Sequence, residues 1–300
     1  AGQASSKLLL DDQLDWCQPI YADAPVTPVD DDGIQAIHDA SMAVLEDIGV
    51  LFLNVAALNV FEQHGCDVDW ESKRVRMDRA FVMAQVAKAP STITVTPRNP
   101  DRALIFGGRY FNFGQVASPP NVMDLDQGRR IGTRADFQNF LKLAQAYNCI
   151  HFNCGYAVEP MDMHPSIRHL DGLFDMLTLT DKVVHAYALG TMRIEDAMEM
   201  VRIAAGLTHE EFEDKPRMFT NINSTSPLKH DWPMLDGAMR MAARNQMVVV
   251  SPFTLAGAMA PVTLAGALAL QNAEGLAVIA LLQAVRAGAP VIYGAFTSNV

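Results

Sequence analysis

The sequence predicts an α/β protein with a largely parallel sheet, and two observations lead to this class. From residue 149 onward, short apolar segments typical of buried strands alternate with longer segments of helical periodicity. The segments on either side of the last helix are apolar throughout, which is the pattern of parallel strands covered on both faces. The predicted strands are 150–158, 183–189, 218–223, 247–253 and 291–297, and the predicted helices between them are 165–180, 193–207, 232–245 and 262–287.

This alternation of strands and helices fits either a doubly wound sheet or a β/α barrel. No glycine-rich phosphate-binding motif follows the first predicted strand, so a nucleotide-binding sheet lacks its usual support. A barrel has about eight strands, and only five are predicted here. The periodicity alone leaves both architectures open.

The longest helical pattern, 262–287, is the most apolar part of the chain. It ends at Gly288, and a proline follows two residues later, as is usual where a helix stops. Its length would suffice to cross a membrane, but Gln271, Asn272 and Glu274 lie in its middle, where polar and charged groups are costly in a bilayer. We therefore expect a packed helix with the Glu274 carboxylate as a structural acceptor, and no membrane span.

The first 148 residues have a different character. Residues 1–30 are rich in aspartate and proline and are predicted to form an extended arm. Trp16 and Tyr21 would anchor that arm to its own domain or to a neighbouring subunit. Residues 31–148 are predicted to form a cap of helices and small antiparallel strands, and residues 149–300 the first five strand–helix units.

Helical patterns in the cap are predicted to begin near Asp30 to Asp32 and at Asn54. Two further helices are predicted to start at capping residues, Asp78 and Thr133, the latter with an aspartate at the third helical position, close to a capping box. Alternating or apolar segments predict strands at 92–96, 104–106, 110–113 and 122–125, and the residues 126–128 predict a hairpin turn.

Composition excludes several classes of protein. The chain has 300 residues, half of them hydrophobic, and a net charge of −11 with no basic stretch, which argues against nucleic-acid binding. Four cysteines, at 17, 66, 149 and 154, show neither a CxxC pair nor zinc-finger spacing, which suits a reducing cytoplasm. The first residues offer no apolar segment long enough for a signal peptide.

Several segments carry a family resemblance. They are NSTSPL at 223–228, GAMAPVTLAGAL at 257–268, NAE at 272–274, GAPVIYG at 288–294, SMAVLEDIGV at 41–50 and DQGRR at 126–130. The chain resembles the trimethylamine methyltransferase family from about residue 30 to its end, most specifically over 257–294. The resemblance implies a β/α barrel with an N-terminal helical addition, and family members are longer, so further barrel strands are expected beyond Val300.

The resemblance also implies a reaction. A methyl group would pass from a tertiary or quaternary methylamine, such as trimethylamine or glycine betaine, to the cobalt of a separate corrinoid protein. The corrinoid would be supplied by that partner, and no cofactor would be bound directly. The archetype of the family carries pyrrolysine, whereas relatives without it are expected to demethylate quaternary amines, and the position that distinguishes them is expected beyond Val300.

This chemistry needs a pocket for a methylated ammonium group rather than an acid–base pair, because a quaternary amine leaves as a neutral tertiary amine. Aromatic faces commonly hold quaternary ammonium groups, and barrel sites lie at the carboxyl ends of strands. The candidates for substrate binding at predicted strand ends are Tyr156, Tyr187, Asn223, Phe253 and Phe296, with Phe113 from the cap. No catalytic residue is assigned.

Four of the six candidates have a structural alternative. Tyr156 and Tyr187 would also suit a core, with the hydroxyl bonded to backbone. Phe253 would equally well pack beside Pro252, and Phe113 would fit an ordinary strand. His185, in mid-strand, is predicted to be a core histidine rather than a ligand.

Other functions would make different demands on the same residues. A Schiff-base aldolase needs a strand-borne lysine in the barrel, but Lys182 and Lys215 lie at strand starts. A zinc-dependent corrinoid methyltransferase would need Cys and His together, and only Cys154 lies near a strand end. A non-catalytic barrel that binds a small betaine, as sensor or carrier, stays open. A homo-oligomer is expected, since an open barrel would leave strand edges bare.

Overall fold

The computed structural model of the protein describes residues 13–299, so residues 1–12 of the predicted arm and Val300 lie outside the described chain. The chain divides into two compact units. The first contains Thr92–Ala186, Asp196–Met218 and the described part of Ala1–Ala22, and the second contains Asp23–Ser91, Tyr187–Glu195 and the described part of Phe219–Val300.

Helices and short strands alternate along the described chain. The helices are α1 Asp31–Ala43, α2 Val55–Gln63, α3 Arg79–Val86, α4 Arg134–Ala146, α5 Arg168–Leu179, α6 Thr191–Ala204, α7 His209–Asp214, α8 Trp232–Ala243 and α9 Leu264–Val285. The strands are β1 Val50–Phe52, β2 Asp67–Asp69, β3 Arg74–Arg76, β4 Thr92–Val95, β5 Leu104–Gly107, β6 Asn121–Asp124, β7 Gly128–Ile131, β8 Phe219–Ile222, β9 Lys229–His230, β10 Met247–Val250, β11 Phe253–Ala256, β12 Val291–Tyr293 and β13 Phe296–Asn299.

The predicted parallel sheet is present in the second unit. Strands β12, β10 and β8 lie side by side in that order, and Val248 in the central strand pairs with both Val291 and Thr220. Directly after this ladder, β11 and β13 form a second parallel pair. The protein is thus of mixed α/β class, and none of the sheets formed by residues 13–299 closes on itself.

Two of the five predicted strands of the sheet are wrong. Residues 150–158 and 183–189 form no ladder, and Phe152 makes only isolated bridges, to Gly114 and Val183. The first segment is interrupted at Gly155, whose φ of 95° is incompatible with an extended strand. Most apolar residues of both segments are buried, although Leu189 is exposed, so the apolar composition of these segments indicates burial rather than strand pairing.

The other differences are local. Residues 110–113, predicted as a strand, make one isolated bridge, between Tyr110 and Ile20. The predicted strand 247–253 is divided at Pro252, which has no N–H for a ladder. The hairpin of β6 and β7 is confirmed, with Gly128 in the left-handed region at a φ of 68°.

The predicted helix caps at Asp78 and Thr133 are confirmed, and the predicted helix starts at Asp30 and Asn54 carry caps as well. The side chains of Asp30, Asn54 and Asp78 accept hydrogen bonds from backbone N–H groups in the first turns of α1, α2 and α3. Thr133 and Asp136 form a complete capping box at the start of α4. Local side-chain chemistry therefore sets these boundaries, as expected for groups that satisfy otherwise unpaired donors.

Helix α9 is the core helix of the second unit. It packs against α1, α2, α3, α8 and the parallel strands. By length and composition it could cross a membrane, but 67% of its most apolar stretch is buried within the protein. Its apolar surface is thus covered by other elements of the same chain, as the sequence predicts.

Residues 13–22 of the predicted arm are held by other residues of the first unit. The Tyr21 N–H donates to the Arg109 carbonyl at 2.7 Å, and the Phe111 N–H donates to the Pro19 carbonyl at 2.9 Å. The Arg102 guanidinium lies 4.9 Å from the centre of the Trp16 ring. Both predicted anchors therefore hold the arm to its own chain.

Candidate functional site

Three neighbouring strands of the second unit end at one edge, and a predicted site residue follows each of them. Asn223 comes directly after β8, Phe253 begins β11 three residues after β10 ends, and Phe296 begins β13 three residues after β12 ends. Because β8, β10 and β12 are parallel and in register, their carboxyl ends meet at the same edge. That edge is where α/β proteins usually bind ligands.

The two phenylalanines form a stacked pair. Phe253 and Phe296 are partners in the register of β11 and β13, and their ring centres lie 4.9 Å apart with 21° between the planes. The Phe296 side chain is 57% exposed, whereas Phe253 is half-buried. The pair therefore presents an accessible aromatic surface, held by backbone pairing rather than by side-chain packing alone.

Asn223 is half-buried at the end of β8. Its Oδ1 accepts a hydrogen bond from Asn221 Nδ2 at 3.0 Å. Its backbone N–H donates to Met234 Sδ at 3.5 Å, which ties the strand end to α8. A side chain of the same strand, Asn221, therefore orients the Asn223 amide.

The other three candidates lie elsewhere in the chain. Tyr187 is half-buried in the second unit. Tyr156 is buried in the first unit, where its hydroxyl donates to the Arg168 carbonyl at 3.1 Å and its ring meets Phe137 edge-on. This is the arrangement of a core tyrosine, which makes Tyr156 the weakest of the aromatic candidates.

Phe113 is half-exposed in the first unit and is held by a histidine that the sequence did not single out as a partner. The Phe113 N–H donates to His151 Nδ1 at 2.9 Å, and the two rings stack at 5.8 Å. His151 Nε2 lies 3.0 Å from the Cys17 carbonyl, so this nitrogen carries the proton. The largest influence on the pKa of His151 is burial, which lowers it and so favours this neutral form.

Buried polar residues outside the candidate set have structural partners. Lys182 Nζ donates to the carbonyls of Ala144, Tyr147 and Ile150 at 2.5, 2.8 and 2.6 Å, at the end of α4. A lysine held in this way is not placed for Schiff-base chemistry. His185 is wholly buried, and burial lowers its pKa to about 4, in agreement with a core histidine.

Comparison with known proteins decides the family. The family model described as trimethylamine methyltransferase (MTTB) matches residues 2–300. The chain belongs to this family. The match covers the cap as well as the strand–helix region, so the membership applies to both units.

The trimethylamine methyltransferase family includes relatives with several substrates in their names. The chain is 38% identical over 264 residues to the glycine betaine methyltransferase of Desulfitobacterium hafniense (strain Y51), and the aligned region covers 88% of this chain and 54% of the relative. It is 29% identical over 281 residues to the trimethylamine methyltransferase of D. hafniense (strain DSM 10664 / DCB-2), with 89% and 54% covered. It is 27% identical over 268 residues to the proline betaine:corrinoid methyltransferase of Eubacterium limosum, with 87% and 54% covered. The chain thus spans about half the length of these relatives.

No metal centre characteristic of zinc-dependent methyl transfer is formed by the described residues of this family member. Within residues 13–299, no group of three His, Cys, Asp or Glu side chains is placed to hold an ion. Burial raises the pKa of the Cys154 thiol, which disfavours the thiolate that zinc binds. The zinc hypothesis therefore gains no support from Cys154.

Sequence reasoning missed two features of the second unit. Thr254, next to Phe253, is wholly buried, and its hydroxyl has no hydrogen-bond partner within the described chain. Two cavities of about 500 Å³ each lie between α1 and the first half of α9, lined among others by Ile37 and Leu268, and neither contains any of the six candidates. Neither feature has a residue pattern that periodicity would reveal, because both depend on how distant segments pack.

Proposed function

We propose that the protein transfers a methyl group from a tertiary or quaternary methylamine, such as trimethylamine or glycine betaine, to the cobalt of a cognate corrinoid protein. Family membership and the names of the relatives support this reaction. The observation that carries the proposal to this chain is that the stacked pair Phe253 and Phe296 and the amide of Asn223 all follow parallel strands that end at the same edge. An exposed aromatic surface suits a cation that offers no hydrogen-bond donor.

In this proposal the pocket does its work by binding and orientation. The ammonium head rests on the rings of Phe253 and Phe296, and Asn223 contacts the polar end of the substrate. Tyr187, which belongs to the same unit, is a further candidate for contact with the substrate. Phe113 and Tyr156 belong to the other unit, and their part in binding stays a prediction from the sequence. A reduced corrinoid, carried by its own protein, supplies the nucleophile when it docks. The C–N bond breaks with its electron pair left on nitrogen, so a quaternary substrate departs as a neutral tertiary amine without a general acid, and positioning provides the rate enhancement.

The same proposal includes the architecture of the whole protein. We propose that strands β8, β10 and β12 are three adjacent strands of a β/α barrel. The domains we propose are an arm at 1–30, a cap at 31–148 and the barrel region at 149–300. We further propose a cytoplasmic homo-oligomer, consistent with four free cysteines in the described chain.

A turnover experiment tests the proposed reaction. The full-length protein is mixed under anaerobic conditions with glycine betaine and chemically reduced cobalamin as a surrogate for the partner. We expect dimethylglycine and methylated cobalamin to form in equal amounts. If glycine betaine binds but its methyl group reaches neither the surrogate nor the purified corrinoid protein, the result would instead favour a sensor or carrier.

A further inference from the structure

The loop that follows β8 has a conformation that needs support. It begins at Asn223 and leads to β9, and Leu228 at its far end has a φ of 50°. A bulky side chain in this left-handed region is uncommon and costs free energy. A hydrogen bond from the Thr225 N–H to the Lys229 carbonyl, 2.7 Å long, closes the loop on itself. Another element must hold the strained end in place.

Glu274, in the middle of α9, provides that support. Its Oε1 accepts a hydrogen bond from the Leu228 N–H at 2.6 Å, and its Oε2 accepts one from the Ser226 hydroxyl at 2.7 Å. The Ser224 hydroxyl lies 2.9 Å from that of Ser226 and continues the chain of polar contacts toward Asn223. One carboxylate thus binds both the strained end and the centre of the loop.

Stability alone does not explain a carboxylate at this position. The Glu274 side chain is wholly buried, and Ala277 and Val278, one turn further along α9, are buried apolar residues. Burial raises the pKa of Glu274, which reflects the cost of desolvating the charged form. An apolar side chain would avoid that cost but would leave the Leu228 N–H and the Ser226 hydroxyl without this acceptor. The carboxylate is therefore explained by the geometry of the loop whose donors it accepts.

We propose that Glu274 is a positioning residue that holds the loop 224–228 and thereby sets the amide of Asn223 at the substrate site. Asn221 orients the Asn223 side chain from within β8, and Glu274 fixes the loop into which the strand runs. Loss of the second restraint lets the amide shift relative to the phenylalanine pair. This inference rests on the proposed function, because it requires Asn223 to contact the substrate.

The test separates positioning from general stability by means of a matched control. Gln283 is another buried polar residue of α9. Its side chain binds the turn that follows the helix, where Nε2 donates to the Ala289 carbonyl at 2.8 Å and Oε1 accepts from the Gly288 N–H at 2.9 Å. The variants Glu274→Gln and Gln283→Met are made in the full-length protein. Thermal unfolding gives the stability of each, and calorimetry at a temperature well below unfolding gives its affinity for glycine betaine.

We expect both variants to unfold at lower temperature, and only Glu274→Gln to lose affinity, by about tenfold, as is reasonable for a displaced contact. Ser226→Ala, which removes one donor from the loop side, should lose affinity in the same direction by a smaller factor and covers the case in which Glu274→Gln does not fold. Unchanged affinity in the folded loop variants, or an equal loss in Gln283→Met, would overturn the inference. If the wild type binds neither glycine betaine nor trimethylamine, the proposed function itself is overturned.

Discussion

At the scale of single residues, the candidate site depends on which side chains the backbone brings together. Phe253 and Phe296 are 43 positions apart in sequence, yet parallel pairing makes them direct neighbours. Their strand-end positions could be predicted from apolar segments and from Pro252, but their stacking could not, because register between distant strands is not visible in either segment alone. Tyr156 shows the converse, since a tyrosine near a predicted strand end proved to be buried with its hydroxyl on a backbone carbonyl.

The aromatic pair predicts a charge-specific effect on binding. Phe253→Ala should weaken the binding of glycine betaine several-fold, because a cation on a desolvated aromatic face contributes roughly 1–2 kcal/mol. The carbon isostere 3,3-dimethylbutanoate, which has the same shape but no positive charge, should lose less. Calorimetry with both ligands is the measurement. Equal losses would show that the ring only fills space, and unchanged affinities would remove Phe253 from the site.

His230 predicts a loss of stability in mild acid. Burial lowers the pKa of its imidazole to about 4, and within residues 13–299 its Nε2 has no hydrogen-bond partner. The unfolded chain, with a histidine pKa near 6.5, binds the proton between these values while the folded chain does not. The contribution of His230, up to roughly 3 kcal/mol, is therefore fully present above pH 6.5 and lost as pH falls to 4.

Denaturant unfolding at several pH values measures this effect. In His230→Phe, which keeps an aromatic ring next to Phe52, the free energy of unfolding should fall less steeply between pH 6.5 and 4 than in the wild type. His209→Gln, at an exposed position, is the control and should retain the wild-type dependence. A slope in His230→Phe equal to that of the wild type would contradict the assignment.

At the scale of elements, helices could be predicted more completely than strands. The caps predicted at Asp78 and Thr133 depend on local chemistry, and both are present. The helix starts predicted at Asp30 and Asn54 are also capped. Strand pairing is not local, and the apolar segments 150–158 and 183–189 are largely buried without forming ladders. The short α7 and the two-residue β9 escaped prediction because so few residues carry little periodicity.

The capping boxes that the described chain has at Thr133 and Thr208 predict unequal effects of the same substitution. Thr133 caps α4, whose Phe137 and Leu141 are wholly buried, so loss of the cap frays a packed helix. Thr208 caps the six-residue α7. Thr133→Ala should therefore lower the free energy of unfolding by about 1 kcal/mol, and Thr208→Ala by clearly less. Denaturant unfolding of the two variants compares them, and a larger loss in Thr208→Ala would refute this ranking.

At the scale of the whole molecule, the sequence identified the family and the edge at which the site is proposed. Residue patterns left a doubly wound sheet and a barrel open, and the three parallel strands β8, β10 and β12 are compatible with both. The cavities between α1 and α9 offer a competing place for a small ligand, because each has a volume of about 500 Å³. Only the position of a bound substrate separates these two places.

The most direct measurement is a crystal structure of the full-length protein with glycine betaine. The proposed function predicts the trimethylammonium group against the faces of Phe253 and Phe296, within contact distance of Asn223, at the carboxyl ends of β8, β10 and β12. Density for glycine betaine in the cavities between α1 and α9, with the phenylalanine pair unoccupied, would contradict it.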